Sequence, residues 1–287
     1  VSPTNDATPG LTGTAEAGST VTVYDGGTAL GQTTADAGGL YSFVPVTLSE
    51  GGHVINATAT DAAGNTSGVS ESLSLVVDTV VPGAPVLSVT TPTNDSTPEM
   101  EGSAEAGSTV TIYSGGTQLG QTTATGEGLI SFELTTPMSD GSYTLTVTAT
   151  DGSGNTSPAS GAVSLVVDTE APGVPTVVVA TPTNDNTPNF SGVAEAASTV
   201  ELSAGGQSLG QVVADGSGNY SYTPGTALGD GSYLVTATAT DPAGNSSGAS
   251  SGEVLVVDTE APGVPALSGV SPTNDATPGL TGTAEAG

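Results

Sequence analysis

Residues 143–151 read "YTLTVTATD", and the alternation in them decides the fold class. Tyr143, Leu145, Val147 and Ala149 point to one side of an extended chain, while Thr144, Thr146, Thr148 and Thr150 point to the other. A period of two with Thr on the outer face describes a half-buried β-strand. The phrase returns as "YLVTATATD" at 233–241 and, varied, as "HVINATATD" at 53–61. Other markers keep the same step. "PTND" opens at Pro3, Pro92, Pro182 and Pro272, and "AEA" at Ala15, Ala104, Ala194 and Ala284, so the period is 89 or 90 residues. Residues 1–18 are identical to residues 270–287.

The chain therefore reads as three periods and the start of a fourth, expected to be a stretch of something longer. The expected domains are 1–81 (lacking its first strand), 82–171, 172–261 and a truncated 262–287. Within 82–171, further strands are expected in "STVTIYSG" (108–115), "TQLGQTTA" (117–124), "LISFELT" (129–135) and "GAVSLVVD" (161–168), with shorter ones at Val86–Val89 and within 99–104. Turn clusters such as "SGG", "DGS" and "DGSGN" separate them. Seven short antiparallel strands per repeat make an all-β chain of tandem β-sandwiches, expected to form an extended rod. A domain of ~90 residues buries only ~60–65% of its unfolded surface, so its core is marginal.

Composition narrows the function. The 287 residues include 29 acidic ones, no Lys or Arg and a single His, giving a net charge of −29. Such a chain has nothing with which to neutralise phosphates, so nucleic acid is excluded as a partner. Anionic membrane surfaces would repel it, and no apolar run reaches the roughly 18 residues of a membrane-spanning helix. The absence of Cys removes disulfides and thiolate metal sites. The chain is expected to be monomeric, its partners being cations and its own neighbouring repeats.

Acidic residues recur where repeats meet. "LVVDTVVPGAP" (75–85), "LVVDTEAPGVP" (165–175) and its copy at 255–265 put Asp78, Asp168 and Asp258 at the ends of strands, just before Pro-rich linkers. In a seven-strand sandwich, the turns after the second and sixth strands lie at the end where the chain enters. Those turns hold Glu195 and Asp241 in one repeat and Glu105 and Asp151 in the one before. Junction sites are thus expected from Asp78, Glu105, Asp151 and Asn155, and from Asp168, Glu195, Asp241 and Asn245. Asp258 and Glu285 would begin a third. Carboxylates and carbonyls without a basic partner suit a hard cation, Ca²⁺ before Mg²⁺ because its coordination is larger and more flexible. Asp in "DGSGN" is also ordinary turn chemistry. The acids of "AEA", "TDxxGN" and "VVDT" stay fixed, however, while equivalent positions such as Asp25, Ser114 and Ala204 vary. Asp95 and Asp185 in "TPTND" read as Asx turns and stay outside the site.

"GTAEAGSTVTV" (13–23), "ATDAAGNTS" (59–67) and "VVDTEAPGVP" (166–175) resemble the bacterial Ig-like repeats of giant surface adhesins. The resemblance covers the whole chain. It implies immunoglobulin-like sandwiches acting as extender modules, stiffened by Ca²⁺ at the junctions and projecting an adhesive domain from the bacterial cell surface into a biofilm. It further implies type I secretion and calcium-binding RTX segments elsewhere in the parent protein. That family often carries Thr where this chain has Val80, Glu170 and Glu260, which leaves the position outside the ligand set.

Catalysis finds no support: His53 stands in the slot of Tyr143 and Tyr233, and the carboxylates repeat instead of forming one unique site. The competing reading is ligand binding, with the outward Thr rows meeting carbohydrate or ice.

Overall fold

The structure, a computed structural model, describes residues 2–268, 274, 276, 277 and 279–285. Pro272, which opens the fourth "PTND", lies outside them. Among the described residues there is no helix, and the chain divides into two compact units, 1–167 and 168–287.

In the first unit, strands β1 (Leu11–Thr14), β2 (Thr20–Asp25), β3 (Thr28–Thr34), β4 (Leu40–Phe43), β5 (Gly51–Thr60) and β6 (Leu73–Val77) form the first repeat. The second repeat has β7 (Val86–Val89), β8 (Glu99–Ser103), β9 (Thr109–Ser114), β10 (Thr117–Thr123), β11 (Leu129–Glu133), β12 (Gly141–Thr150) and β13 (Val163–Val167). Its two antiparallel sheets run β10-β9-β12-β13 and β11-β8-β7, and the first repeat matches them with β3-β2-β5-β6 and β1-β4. Thr93 then bridges Val167 in parallel, so the chain leaves β7 on one sheet and crosses to the last strand of the other.

The second unit holds β14 (Val178–Val179), β15 (Phe190–Val193), β16 (Thr199–Ala204), β17 (Gln207–Val213), β18 (Asn219–Tyr222), β19 (Gly231–Thr240) and β20 (Glu253–Val257), followed by β21 (Ala266–Ser268) and β22 (Thr281–Thr283). Its sheets run β17-β16-β19-β20, β14-β15-β18 and β21-β22.

The alternation read from the sequence is what packs each sandwich. Leu145 and Val147 of β12 are fully buried in one cluster with Val110 and Ile112 of β9 and Met100 of β8, and Ala149 is also fully buried, while Thr144 is exposed. Leu202, Val235, Ala237 and Leu255 do the same around Phe190 in the third repeat. The hairpin between β9 and β10 turns on Gly115 and Gly116, with φ of 55° and 86°. Two consecutive positive φ values make the tight turn whose twist matches its strands, and glycine alone adopts them without strain.

The corner before the sixth strand also follows the sequence. The Tyr143 hydroxyl donates to the Ser139 carbonyl (2.7 Å) and that of Tyr233 to the Gly229 carbonyl (2.9 Å). His53 keeps that bond in the first repeat, with Nε2 2.8 Å from the Ser49 carbonyl. Its Nδ1 lies 2.6 Å from Asp25 Oδ2. Asp25 therefore does not vary freely against Ser114 and Ala204: the acid stands where His replaces Tyr.

Candidate functional site

The turn after the sixth strand is built by its own sequence. In "DGSGN", Asp151 Oδ1 accepts the backbone N–H of Ser153 (2.8 Å) and of Asn155 (2.9 Å), and Gly154 takes a φ of 93°. The turn holds the Asn155 side chain against the linker arriving from the first repeat. Asn155 Nδ2 donates both to Asp151 Oδ2 (2.8 Å) and to the backbone carbonyl of Asp78 (2.8 Å). The Ser153 hydroxyl donates to Asp78 Oδ2 (2.9 Å). Asn155 is only 7% exposed.

The second unit repeats the arrangement. Asn245 Nδ2 donates to Asp241 Oδ2 (2.8 Å) and to the carbonyl of Asp168 (2.7 Å), while Asp241 Oδ1 accepts the N–H of Gly244 (2.7 Å) and Asn245 (2.9 Å). Burial pushes the Asp151 and Asp241 carboxyls up, but the Asn side chain and the N–H groups of the turn outweigh it and hold both below the usual carboxylate range. The loop of the first repeat closes in the same way: Asn65 Nδ2 donates to Asp61 Oδ2 (2.7 Å), and Asn65 is exposed.

Each linker Asp also caps its own turn. Asp78 Oδ1 accepts the N–H of Val80 (3.1 Å), Asp168 Oδ1 that of Glu170 (3.2 Å) and Asp258 Oδ1 that of Glu260 (3.1 Å). The structure thus joins Asp78, Asp151 and Asn155, and likewise Asp168, Asp241 and Asn245, by hydrogen bonds. Glu105 and Glu195 show only their backbone carbonyls engaged, each by the following Ser108 or Ser198. Glu285 reaches the linker itself, its Oε2 accepting the Gly263 N–H (2.8 Å). Among the described residues, no group of three or more acidic or His side chains is arranged to hold a metal ion. Asp95 and Asp185 form the expected Asx turns, accepting from Thr97 (2.8 Å) and Thr187 (2.9 Å).

One feature of the junctions escaped the sequence reading. Glu50 accepts both the N–H (3.0 Å) and the hydroxyl of Thr79, and Asp230 Oδ1 accepts both from Thr259 (3.0 and 2.8 Å). The Asp-Thr pair of the linker is consequently held twice: Thr79 back onto its own repeat, Asp78 forward onto the next. The available signal was an acid before each "GG" or "GS" at the corner, paired with the invariable Thr of "VVDT".

Comparison with known proteins agrees with this repeat structure. The profile of the family described as "Bacterial Ig-like domain" matches residues 2–79, 88–169 and 180–259. No curated protein sequence matches the chain. Among solved structures it is similar to a tetra-tandem repeat in the extending region of a large adhesion protein, at 25% identity and a TM-score of 0.32, covering 98% of this chain and 79% of that one. It is also similar to the BSP domain of a biofilm-associated protein, at 16% identity and a TM-score of 0.26, covering 83% and 56%. A third similarity, to latent PorU of Porphyromonas gingivalis, has 18% identity and a TM-score of 0.27, covering 84% and 30%. Matched over most of its length in three successive segments that each fold into the same sandwich, the chain belongs to the bacterial Ig-like domain family, as tandem repeats.

Proposed function

We propose that the chain is an extender segment of a bacterial cell-surface adhesin, non-enzymatic, with Ca²⁺ at the repeat junctions stiffening a string of sandwiches into a rod. The observation that carries the reading is the doubly held linker. Thr79 is tied back to Glu50 while the Asp78 carbonyl and carboxylate are tied forward to Asn155 and Ser153, which restrains the very residues about which two repeats would bend. Spacing an adhesive domain needs that restraint, whereas catalysis needs one unique site, and these carboxylates recur.

The donors fit a hard cation in chemical type. Asp78, Asp151 and the amide oxygen of Asn155 are oxygen ligands, Glu105 stands in the adjoining turn, and there is no Lys or Arg anywhere to neutralise them. Asp168, Asp241, Asn245 and Glu195 form the second such set, and Asp258 with Glu285 the start of a third. A bound Ca²⁺ would supply the positive charge these sets lack. Export by a type I system and RTX segments in the parent protein belong to the same reading. The carbohydrate or ice alternative is disfavoured by the Thr row itself: Thr146 and Thr148 are half-buried, and Thr150 is bonded to Thr156 (2.9 Å).

Thermal melts in millimolar Ca²⁺ and in EDTA at matched ionic strength test the metal. Extracellular modules bind with Kd of about 10⁻⁴–10⁻³ M, so about 10 mM free ion stabilises by about 1.4–2.7 kcal/mol. Identical melts would refute it.

A further inference from the structure

The "PTND" turn is built alike in the three repeats. In the first, the Asp6 N–H donates to Thr4 Oγ1 (3.1 Å) and Asp6 Oδ1 accepts the Thr8 N–H (2.8 Å). Asp95 bonds Thr93 and Thr97 in the same way (3.1 and 2.8 Å), and Asp185 bonds Thr183 and Thr187 (3.0 and 2.9 Å). Each turn closes around an exposed Asn: Asn5, Asn94 and Asn184.

The turn is fastened to the end of the last strand. Thr4 bridges Val77 in parallel: its N–H donates to the Val76 carbonyl (3.0 Å), and its carbonyl accepts the Asp78 N–H (2.9 Å). Thr183 holds Val256 (2.9 Å) and Asp258 (3.0 Å) identically. Asp78, which receives Ser153 and Asn155 from the second repeat, is therefore held from behind by the "PTND" turn of the first.

That turn also meets the second repeat directly. A Cβ placed on Gly154 would lie 3.4 Å from Asn5 Nδ2 and 3.9 Å from Asn5 Cγ. Gly154 stands in the "DGSGN" loop between Ser153 and Asn155, at a φ of 93°. The loop thus touches the first repeat at two places, at the linker through Ser153 and Asn155 and at the turn through Gly154. The two contacts differ in what they restrain. A tie at one linker residue leaves the soft backbone dihedrals beside it free to turn. A second contact, away from that residue, opposes the turning.

We propose that Asn5 is a positioning residue of the junction between the first two repeats: held by a turn that is itself bonded to Asp78, it seats on Gly154 and fixes the rotation of the second repeat about the linker. The role of the "PTND" motif is then to build an inter-repeat contact. This deepens the extender reading and rests on it for its purpose, while the contact itself needs no cation.

Pulsed electron resonance between two spin labels tests it. The chain has no Cys, so Ser42→Cys and Thr144→Cys, at exposed strand positions, take one label in each repeat. The measurement is made in EDTA, so that failure of the cation reading and failure of the contact are told apart. Asn5→Ala should broaden the distance distribution roughly twofold, since relative motion of domains is the default once their contact is lost. The melting transitions of both repeats should stay where they are. Asn94→Ala, the same change in the turn of the second repeat, should leave the distribution as narrow as the parent's. Proximity is tested separately by joining Asn5→Cys with Gly154→Cys. The sulfur at residue 5 replaces a Cγ that lies 3.9 Å from the new Cβ, which a small rotation brings within disulfide reach. Mild oxidation should close that bond, read as faster migration on a denaturing gel without reductant. Asn5→Cys with Gly116→Cys, at the opposite end of β9, should stay open. An Asn5→Ala distribution as narrow as the parent's, an Asn94→Ala distribution equally broadened, or a folded Asn5→Cys, Gly154→Cys chain that does not close would each overturn the proposal.

Discussion

Asn155→Ala isolates what the forward clamp contributes. The substitution deletes two hydrogen bonds of 2.8 Å, one to the Asp78 carbonyl and one to the charged Asp151 carboxylate, at a side chain almost entirely buried. A neutral bond contributes about 1 kcal/mol and one to a charged acceptor about 1.5–3 kcal/mol, so the loss should be about 3 kcal/mol. For a domain of ~90 residues each kcal/mol moves Tm by about 4–8 °C, which lowers the second repeat's transition by roughly 12–24 °C. Asn65→Ala is the internal control, because Asn65 keeps the bond to Asp61 but is exposed and holds no linker carbonyl. Its effect should be a small fraction of the other. Calorimetry gives the transitions, and hydrogen exchange assigns each to its repeat. Equal shifts from the two substitutions would show that the linker carbonyl contributes nothing and would refute the clamp.

Three further outcomes are expected. Asp25 and its hydrogen bond raise the His53 pKa above its ordinary value of about 6.5, so this contribution to the first repeat is fully present below that pH and is lost as pH rises through the folded-state value. Asp25, held low chiefly by the same hydrogen bond, contributes above about pH 4 and is lost as pH falls through its own folded value. The first repeat should therefore melt highest in the window between, and His53→Tyr should abolish the alkaline loss; a parent melt flat from about pH 5 to 8.5 would contradict this. Gly102→Ala should destabilise the second repeat by about 1–3 kcal/mol and speed amide exchange in β7, because the new methyl displaces the Val86 carbonyl. Glu50→Gln should speed exchange at the Thr79 amide severalfold while leaving the core amides unchanged, and an unaltered Thr79 rate would argue against the rearward tie.

How much of this was legible follows from which signals are local. Alternation in "YTLTVTATD" and the paired glycines of "SGG" act within one strand or one turn, so strand positions in the second repeat agree with the structure to within a residue or two. The Asp151–Asn155 loop was legible for the same reason, being a turn that folds on itself. Partners fixed by register across the sheet were not. Glu50 meets Thr79 from 29 residues away, and Asp25 meets His53 across 28, and neither separation carries a periodicity that composition or pattern reveals.

The central claim, that the junction acids share a cation, is tested most directly by a Ca²⁺ titration of the parent beside Asp168→Asn. Asp168 Oδ1 caps its own linker turn and its carbonyl receives Asn245, so the substitution removes a negative charge while leaving that carbonyl in place. The account predicts that Asp168→Asn binds one ion fewer than the parent, or binds that ion at least tenfold more weakly, with the site around Asp78 unaffected. The same number of ions bound with the same affinities would reduce Asp168 to a linker residue and contradict the account.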